Sequence, residues 1–251
     1  GFICDMFEGH APYKPRYVLP DYATFLAKGS EWLELEGAKD LDDALSLLTI
    51  LYHHVPSVTS MPVYLGHLDA LLQPYVRILT QEEIDSRIKR FWRYLDRTLP
   101  DAFTHVNIGP ADTPVTRAIL RADAELKQVA PNLTFIYDPD VTPDDLLLEV
   151  AKNICECSKP HISHGPANDK IFTKGRYGIV SCYNSLPLAG GGSTLVRLNL
   201  RAIAEHSTSP DDFFTRMLPH YCQQQIAIID ARCAFLYQQS GFFENSFLVK
   251  E

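Results

Sequence analysis

Pro131-Asn-Leu-Thr-Phe-Ile-Tyr137, Thr142-Pro-Asp-Asp145, Pro160-His-Ile-Ser163 and Tyr177-Gly-Ile-Val-Ser181 follow one another in this chain. Leu133–Tyr137 is rich in β-formers and bounded by Pro131-Asn132 and Asp138-Pro139, which reads as a strand. Thr142-Pro-Asp-Asp145 has the form of a capping box with Pro143 at the first helical position, which predicts a helix to about Cys155. Pro160 ends that helix, and short β-like runs follow at His161–Ser163 and Gly178–Ser181. Strand, helix, strand in this order predicts an α/β fold with a parallel sheet or barrel.

The flanking segments read as follows. Pro12, Tyr13, Pro15, Tyr17, Pro20 and Tyr22 predict an ordered wrapping segment rather than a helix. Leu41–His53 is apolar on most faces and predicts a buried helix with Asp40 as N-cap. Thr80-Gln-Glu-Glu83 is a capping box. The helix it opens carries Ile84, Ile88, Phe91, Leu95 and Leu99 at helical spacing. Its basic residues are interleaved with Glu82, Glu83, Asp85 and Asp96, as on a solvated face. Pro114 opens a helix to about Val129. Ser193–Leu200 alternates as a strand does. Ser209-Pro210 opens a last helical region to about Gln239, interrupted at Pro219. No repeat or linker divides residues 1–251, so one domain is expected.

The chain has 251 residues, a formal net charge of −8 and 46% hydrophobic residues. That composition excludes intrinsic disorder, and the acidic balance disfavours nucleic acid and anionic membranes as partners. No apolar run approaches a bilayer span. Six cysteines do not make a disulfide scaffold at this length. They read as reduced thiols of a cytoplasmic protein.

The chemistry is concentrated in Tyr177-Gly-Ile-Val-Ser-Cys182-Tyr-Asn-Ser-Leu-Pro-Leu-Ala-Gly-Gly-Gly192-Ser193. A β-run delivers Cys182 into a loop that three glycines follow. A buried cysteine is usually a small apolar core residue. Gly190-Gly191-Gly192, however, implies close backbone approach or positive φ. Its spacing matches neither phosphate-loop nor dinucleotide fingerprints. Cys155, Cys157, His161 and His164 have zinc-ligand chemistry without the usual structural-zinc spacing. A Cys-His-Asp hydrolase is compatible with the residue types present, but no spacing orders them into a triad.

The segments at 131–137, 142–146, 160, Asn168-Asp169-Lys-Ile171 and Tyr177–Cys182 resemble the middle of the glycyl radical enzymes. Gly9-His10 and Leu19-Pro-Asp-Tyr22 to Lys28-Gly29 resemble the segment that precedes their barrel. Across all 251 residues the chain resembles the YjjI branch, most specifically over 131–200. The resemblance implies part of a ten-stranded α/β barrel with substantial surrounding helices. It also implies Cys182 as the thiyl radical site that abstracts hydrogen from a small substrate under anaerobic conditions. Gly190, Gly191, Gly192 and Ser193 would line the pocket, with Tyr183 and Asn184 beside the thiol. His161, His164, Asn168 and Asp169, on the preceding loop, would contact substrate or satisfy loop backbone.

No metal and no directly bound cofactor are implied. The glycyl radical would sit on a residue outside this chain, installed by a radical-SAM activating enzyme, and the full-length protein would be a homodimer. No R-V-x-G-Y-type glycine loop is found before Glu251, so the chain is expected to be a central fragment, inactive alone. Ser181 and Tyr183 flank the cysteine where pyruvate formate-lyases carry two adjacent cysteines. Asn184 stands where the diol and trimethylamine-type lyases carry a glutamate base. Ser193–Ala204 is nearest to the anaerobic ribonucleotide reductases. The alternative functions are a non-catalytic small-molecule or partner-binding fragment and a nucleotide-binding protein.

Overall fold

The computed structural model describes residues 1–4, 14–59, 63–98, 104–180, 184–188 and 191–245. The backbone divides into two compact units: Leu19–Ser57 with Met61–Gly190, and Gly1–Val18 with Val58–Ser60 and Gly191–Lys250.

The larger unit begins with helix α1 (Tyr22–Lys28), where a wrapping segment was expected. Asp21 overrides the neighbouring prolines, because its carboxylate accepts from both the backbone N–H and the hydroxyl of Thr24. Helix α2 (Leu41–Val58) starts as read, with the Asp43 N–H donating to Asp40 at 2.9 Å. It runs past His53 and tolerates Pro56 near its end.

Four parallel strands follow: β1 (Tyr64–His67), β2 (His105–Ile108), β3 (Asn132–Tyr137) and β4 (His161–His164). They lie side by side in chain order. The crossovers are α3 (Leu68–Leu72) with α4 (Gln81–Thr98), then α5 (Pro114–Leu126), then α6 (Asp144–Cys157). In α4, Thr80 and Glu83 cap each other reciprocally, and Ile84, Ile88, Phe91, Trp92 and Leu95 are buried. Leu99 lies outside the described residues. Arg87 pairs with Asp42 and Lys89 with Glu125; Asp96, read as part of the solvated face, is instead buried, where it accepts from the Ala130 N–H and pairs with Arg97.

The boundaries of α5 and α6 also differ from the sequence reading. Helix α5 stops at Leu126 because Lys127 turns left-handed, at φ 46°. The cap of α6 is Pro143, with no side-chain bond. Thr142 instead accepts from the Asp138 N–H and donates to the Pro110 carbonyl, so it ties two loops together. The helix ends at Cys157, where Ser158 adopts φ 60° ahead of Pro160.

Strand alternation gives the sheet two unlike faces. Val106, Ile108, Leu133 and Phe135 form an apolar face, all fully buried. His105, Asn107, Thr134 and Ile136 form the other, and His161 continues it because Thr134 pairs with His161. After α7 (Gly165–Asn168), β5 (Tyr177–Val180) and β6 (Asn184–Pro187) form a separate antiparallel hairpin. Ile136 packs against Tyr177 and Ile179, which places the hairpin on the mixed, polar-bearing face. The crossover helices therefore cover the apolar face.

Away from the hairpin, beneath the amino ends of β3 and β4, the buried Asp123 carboxylate accepts from Lys159 Nζ (2.8 Å), Trp92 Nε1 (3.1 Å), Asn153 Nδ2 (3.2 Å) and Cys157 Sγ (3.3 Å). Lys159 completes its shell on the carbonyls of Gln128 and Pro131. Burial, and then Asp123 itself, push the Cys157 thiol pKa up.

In the smaller unit Ile3–Cys4 pairs with Arg197–Leu198, and Tyr17–Val18 pairs with Gly191–Gly192. The strand expected over Ser193–Leu200 is thus only two residues long. Asn199 caps a helix, α8 (Leu200–Glu205), by accepting from the Ala202 N–H, and that ends the extended run. Ser209 caps Pro210–Asp212. The interruption expected at Pro219 is a π-helical turn at Phe213–Met217, ahead of α9 (Leu218–Gln238). No helix among the described residues is long and apolar enough to cross a membrane.

Candidate functional site

The hairpin β5–β6 is the centre of the candidate site. Its last paired residues are Val180 and Asn184. The chain between them is Ser181-Cys182-Tyr183, which lies outside the described residues, as does Gly190. All four residues of β5 are buried.

Among the described residues, strand β5 has β6 on one edge and no strand on the other. In an antiparallel pair alternate residues turn their backbone groups outward. Here those of Tyr177 and Ile179 meet side chains of the parallel sheet. His67 Nε2 donates to the Tyr177 carbonyl at 2.9 Å. Asn107 Oδ1 accepts from the Ile179 N–H at 2.8 Å, and its Nδ2 donates to the Ile179 carbonyl at 3.1 Å. Tyr64 donates its hydroxyl to the same Oδ1 at 2.9 Å. The Tyr64 ring lies so close to Gly178 that an added Cβ would stand 2.5 Å from it. Gly178→Ala is therefore expected to cost about 1–3 kcal/mol through overpacking, read as a lower denaturant midpoint. Burial raises the Tyr64 phenol well above its ordinary pKa, so it remains a donor.

From the other side, Asn168 accepts from Ser185 of β6 at 2.7 Å and donates to Ser163 Oγ at 2.9 Å. Asp69, in the first turn of α3, is buried. It accepts from the N–H groups of Ala70 and Gly109 and from the Thr116 hydroxyl, all at 2.8 Å or less. Burial raises its pKa against those bonds. It fixes the loop after β2 to the start of α5.

His105, two residues before Asn107, is fully buried, and burial lowers its pKa to about 4. The folded protein holds the neutral imidazole, while the unfolded chain takes a proton below about pH 6.5. This contribution to stability is complete above pH 6.5 and is lost as the pH falls towards 4. Its full size is on the order of 3 kcal/mol. Denaturant midpoints between pH 7.5 and 4.5 should show that decline, and His105→Gln should flatten it.

Beside the hairpin, at the carboxyl end of β1, a cavity of about 640 Å³ opens between α1 and α3. Tyr22, Tyr64, His67, Tyr75 and Arg176 line it. Its walls are mainly apolar with a few polar groups, the usual make-up of a small-molecule pocket. Two of its lining residues, Tyr64 and His67, also hold β5.

The remaining candidate residues are dispersed. His161 and His164 are exposed on β4, and Nδ1 of His164 caps α7. Asp169 ends α7, and Asn184 is exposed on β6. In the smaller unit an added Cβ at Gly192 would stand 2.2 Å from the Tyr17 ring, which is the close approach expected of the glycine run. Ser193 shares a hydrogen bond with the Tyr237 hydroxyl. No cluster of three or more His, Cys, Asp or Glu side chains suits a metal ion among the described residues. Asn107, His67 and Tyr64 were not singled out from sequence. The available signal was polar His105 and Asn107 inside an otherwise apolar strand.

The family profile of glycyl radical enzymes of the YjjI-like type matches residues 1–251. The chain belongs to that family. It is 90% identical over its whole length to the uncharacterised protein YjjI of Escherichia coli K12, covering 49% of that protein. It is 46% identical to an uncharacterised Haemophilus influenzae protein, covering 48% of it. The chain thus spans about half the length of the curated relatives it matches. The anaerobic ribonucleotide reductase of Thermotoga maritima, solved with dATP and CTP, superposes with a TM-score of 0.70 at 15% identity, over 98% of this chain and 50% of that one. The B12-independent glycerol dehydratase of Clostridium butyricum gives 0.63 at 17% identity, over 86% of this chain and 35% of that one. These likenesses show the fold: the YjjI-like chain is an α/β structure that forms part of a glycyl radical enzyme barrel.

Proposed function

We propose that this YjjI-like chain supplies the reactive thiol and part of the barrel wall of a glycyl radical enzyme that abstracts hydrogen from a small molecule under anaerobic conditions. The observation that carries the reading is the seating of the Cys182-bearing hairpin on the polar-bearing face of the parallel sheet, held by side chains rather than by a neighbouring strand. A solvent-facing loop needs no such anchoring, whereas radical chemistry needs a dry, fixed thiol. The radical, stored on a backbone glycine outside this chain, supplies an acceptor for one hydrogen atom. Cys182 gives up the hydrogen of its S–H bond and is left with the unpaired electron. It then takes a hydrogen atom from a substrate C–H bond, which restores S–H and leaves the radical on substrate.

Tyr183, Asn184, Gly190, Gly191, Gly192 and Ser193, with His161, His164, Asn168 and Asp169, are the substrate-side residues of this reading. Asn168 supports it by holding β6. Asn184 is neutral and cannot act as a base. That disfavours a dehydration assisted by the residue two places after the cysteine.

The partners in this reading are a radical-SAM activating enzyme and a second copy of the full-length protein, in the cytoplasm. The test is anaerobic activation of the full-length protein, followed by electron paramagnetic resonance and a metabolite screen. A glycyl doublet together with consumption of a small metabolite is the expected outcome. Absence of any organic radical under activating conditions counts against the proposal.

A further inference from the structure

We propose that Asn107 is a positioning residue that sets the depth and register of the hairpin carrying Cys182; its functional meaning rests on the reading of Cys182 given above. The outward edge of β5 presents the Tyr177 carbonyl and both backbone groups of Ile179, with no strand among the described residues to receive them. Asn107 meets both groups of Ile179 at once, as the backbone of a neighbouring strand would. Its amide orientation follows from its partners. Oδ1 accepts from both Ile179 N–H and Tyr64 O–H, so Nδ2 must face the Ile179 carbonyl.

The contact is specific in register, because one side chain grips one residue. A slip of the hairpin by one residue would present Gly178 or Val180, whose N–H and C=O groups face β6 instead. Tyr64 fixes the same register a second time through its contact with Gly178. Ile179 and Cys182 are three positions apart, so displacement of β5 is passed to the thiol over a very short stretch. A buried asparagine serving only its own hydrogen-bonding needs has no reason to place both bonds on one residue of this hairpin.

Amide hydrogen exchange of the full-length protein is the first test. Asn107→Leu should raise exchange in peptides spanning 177–187 at least tenfold, leaving peptides from α4 and α5 near wild type. In the same protein, alkylation of Cys182 by iodoacetamide, located by mass spectrometry, should accelerate at least tenfold. Tyr64→Phe, which removes one donor only, should give a smaller rise of the same kind and serves if Asn107→Leu does not fold.

The second test uses the activated protein in D2O. There, transfer of hydrogen between the exchangeable thiol and the glycyl carbon collapses the radical's doublet to a singlet. Asn107→Leu should slow the collapse at least tenfold at unchanged radical yield. Asn107→Asp should recover towards wild type as the pH is lowered, because a protonated carboxyl regains a donor for the Ile179 carbonyl. Wild-type exchange at 177–187 in Asn107→Leu, or wild-type collapse in that variant, overturns the proposal. If Cys182→Ala itself still collapses at the wild-type rate, the reading of Cys182 fails, and the exchange of 177–187 alone decides the role of Asn107.

Discussion

Cys182→Ala in the full-length, activated protein is expected to abolish substrate consumption while leaving the glycyl radical signal and the fold in place. The loss should be at least about a thousandfold, the scale on which removal of an essential reacting group acts. Alanine has no transferable hydrogen, so the radical stays where it was installed. The substitution removes one small side chain, and Asn107, His67 and Asn168 hold the β5–β6 hairpin. A variant that consumes substrate as the wild type does would remove Cys182 from the mechanism. Cys157→Ala is the contrasting substitution. Its thiol is occupied by Asp123 and the Asn153 carbonyl, so it should change stability without touching the chemistry.

The largest stability effect is expected at Asp123 and Lys159. Asp123 is fully buried, and Lys159 is exposed over only 10% of its side chain. Removal of one member leaves the other charge in a low-dielectric interior with incomplete pairing. Lys159→Met should therefore cost about 3–5 kcal/mol. For a unit of this size that is a fall in Tm of roughly 10 °C. Asp123→Leu should cost a similar amount. The pair together, as Asp123→Leu with Lys159→Met, should cost clearly less than the sum, because no uncompensated charge remains. Additive losses in the double variant would show that the two residues act separately. The effect should also be confined to stability, since the network lies at the amino ends of β3 and β4, away from the hairpin.

The sequence carried the backbone plan of the larger unit because its signals are local. Leu133–Tyr137, the Thr80–Glu83 cap and the buried β5 run each state their structure within a few residues. The family resemblance rested on local segments too, among them Pro131–Tyr137, Thr142–Leu146 and Tyr177–Cys182, and is met by the match over residues 1–251. What was not legible depends on distant partners. Asn107 and Ile179 are 72 residues apart, and no periodicity links a polar strand residue to the edge of a later hairpin. Thr142 looked like a cap because its spacing was right, yet the Pro110 carbonyl and the Asp138 N–H claim its hydroxyl. The run at Ser193–Leu200 alternated like a strand, but Asn199 caps a helix before the alternation is complete. In the first segment a single aspartate, Asp21, outweighed a series of prolines.

The central claim is that Cys182 exchanges a hydrogen atom with a glycyl radical. It is tested most directly by electron paramagnetic resonance of the activated full-length protein transferred to D2O. The wild-type doublet is expected to collapse to a singlet as label passes through the thiol, and the Cys182→Ala doublet to persist. Collapse at the same rate in both proteins, or a wild-type doublet that never collapses, would contradict it.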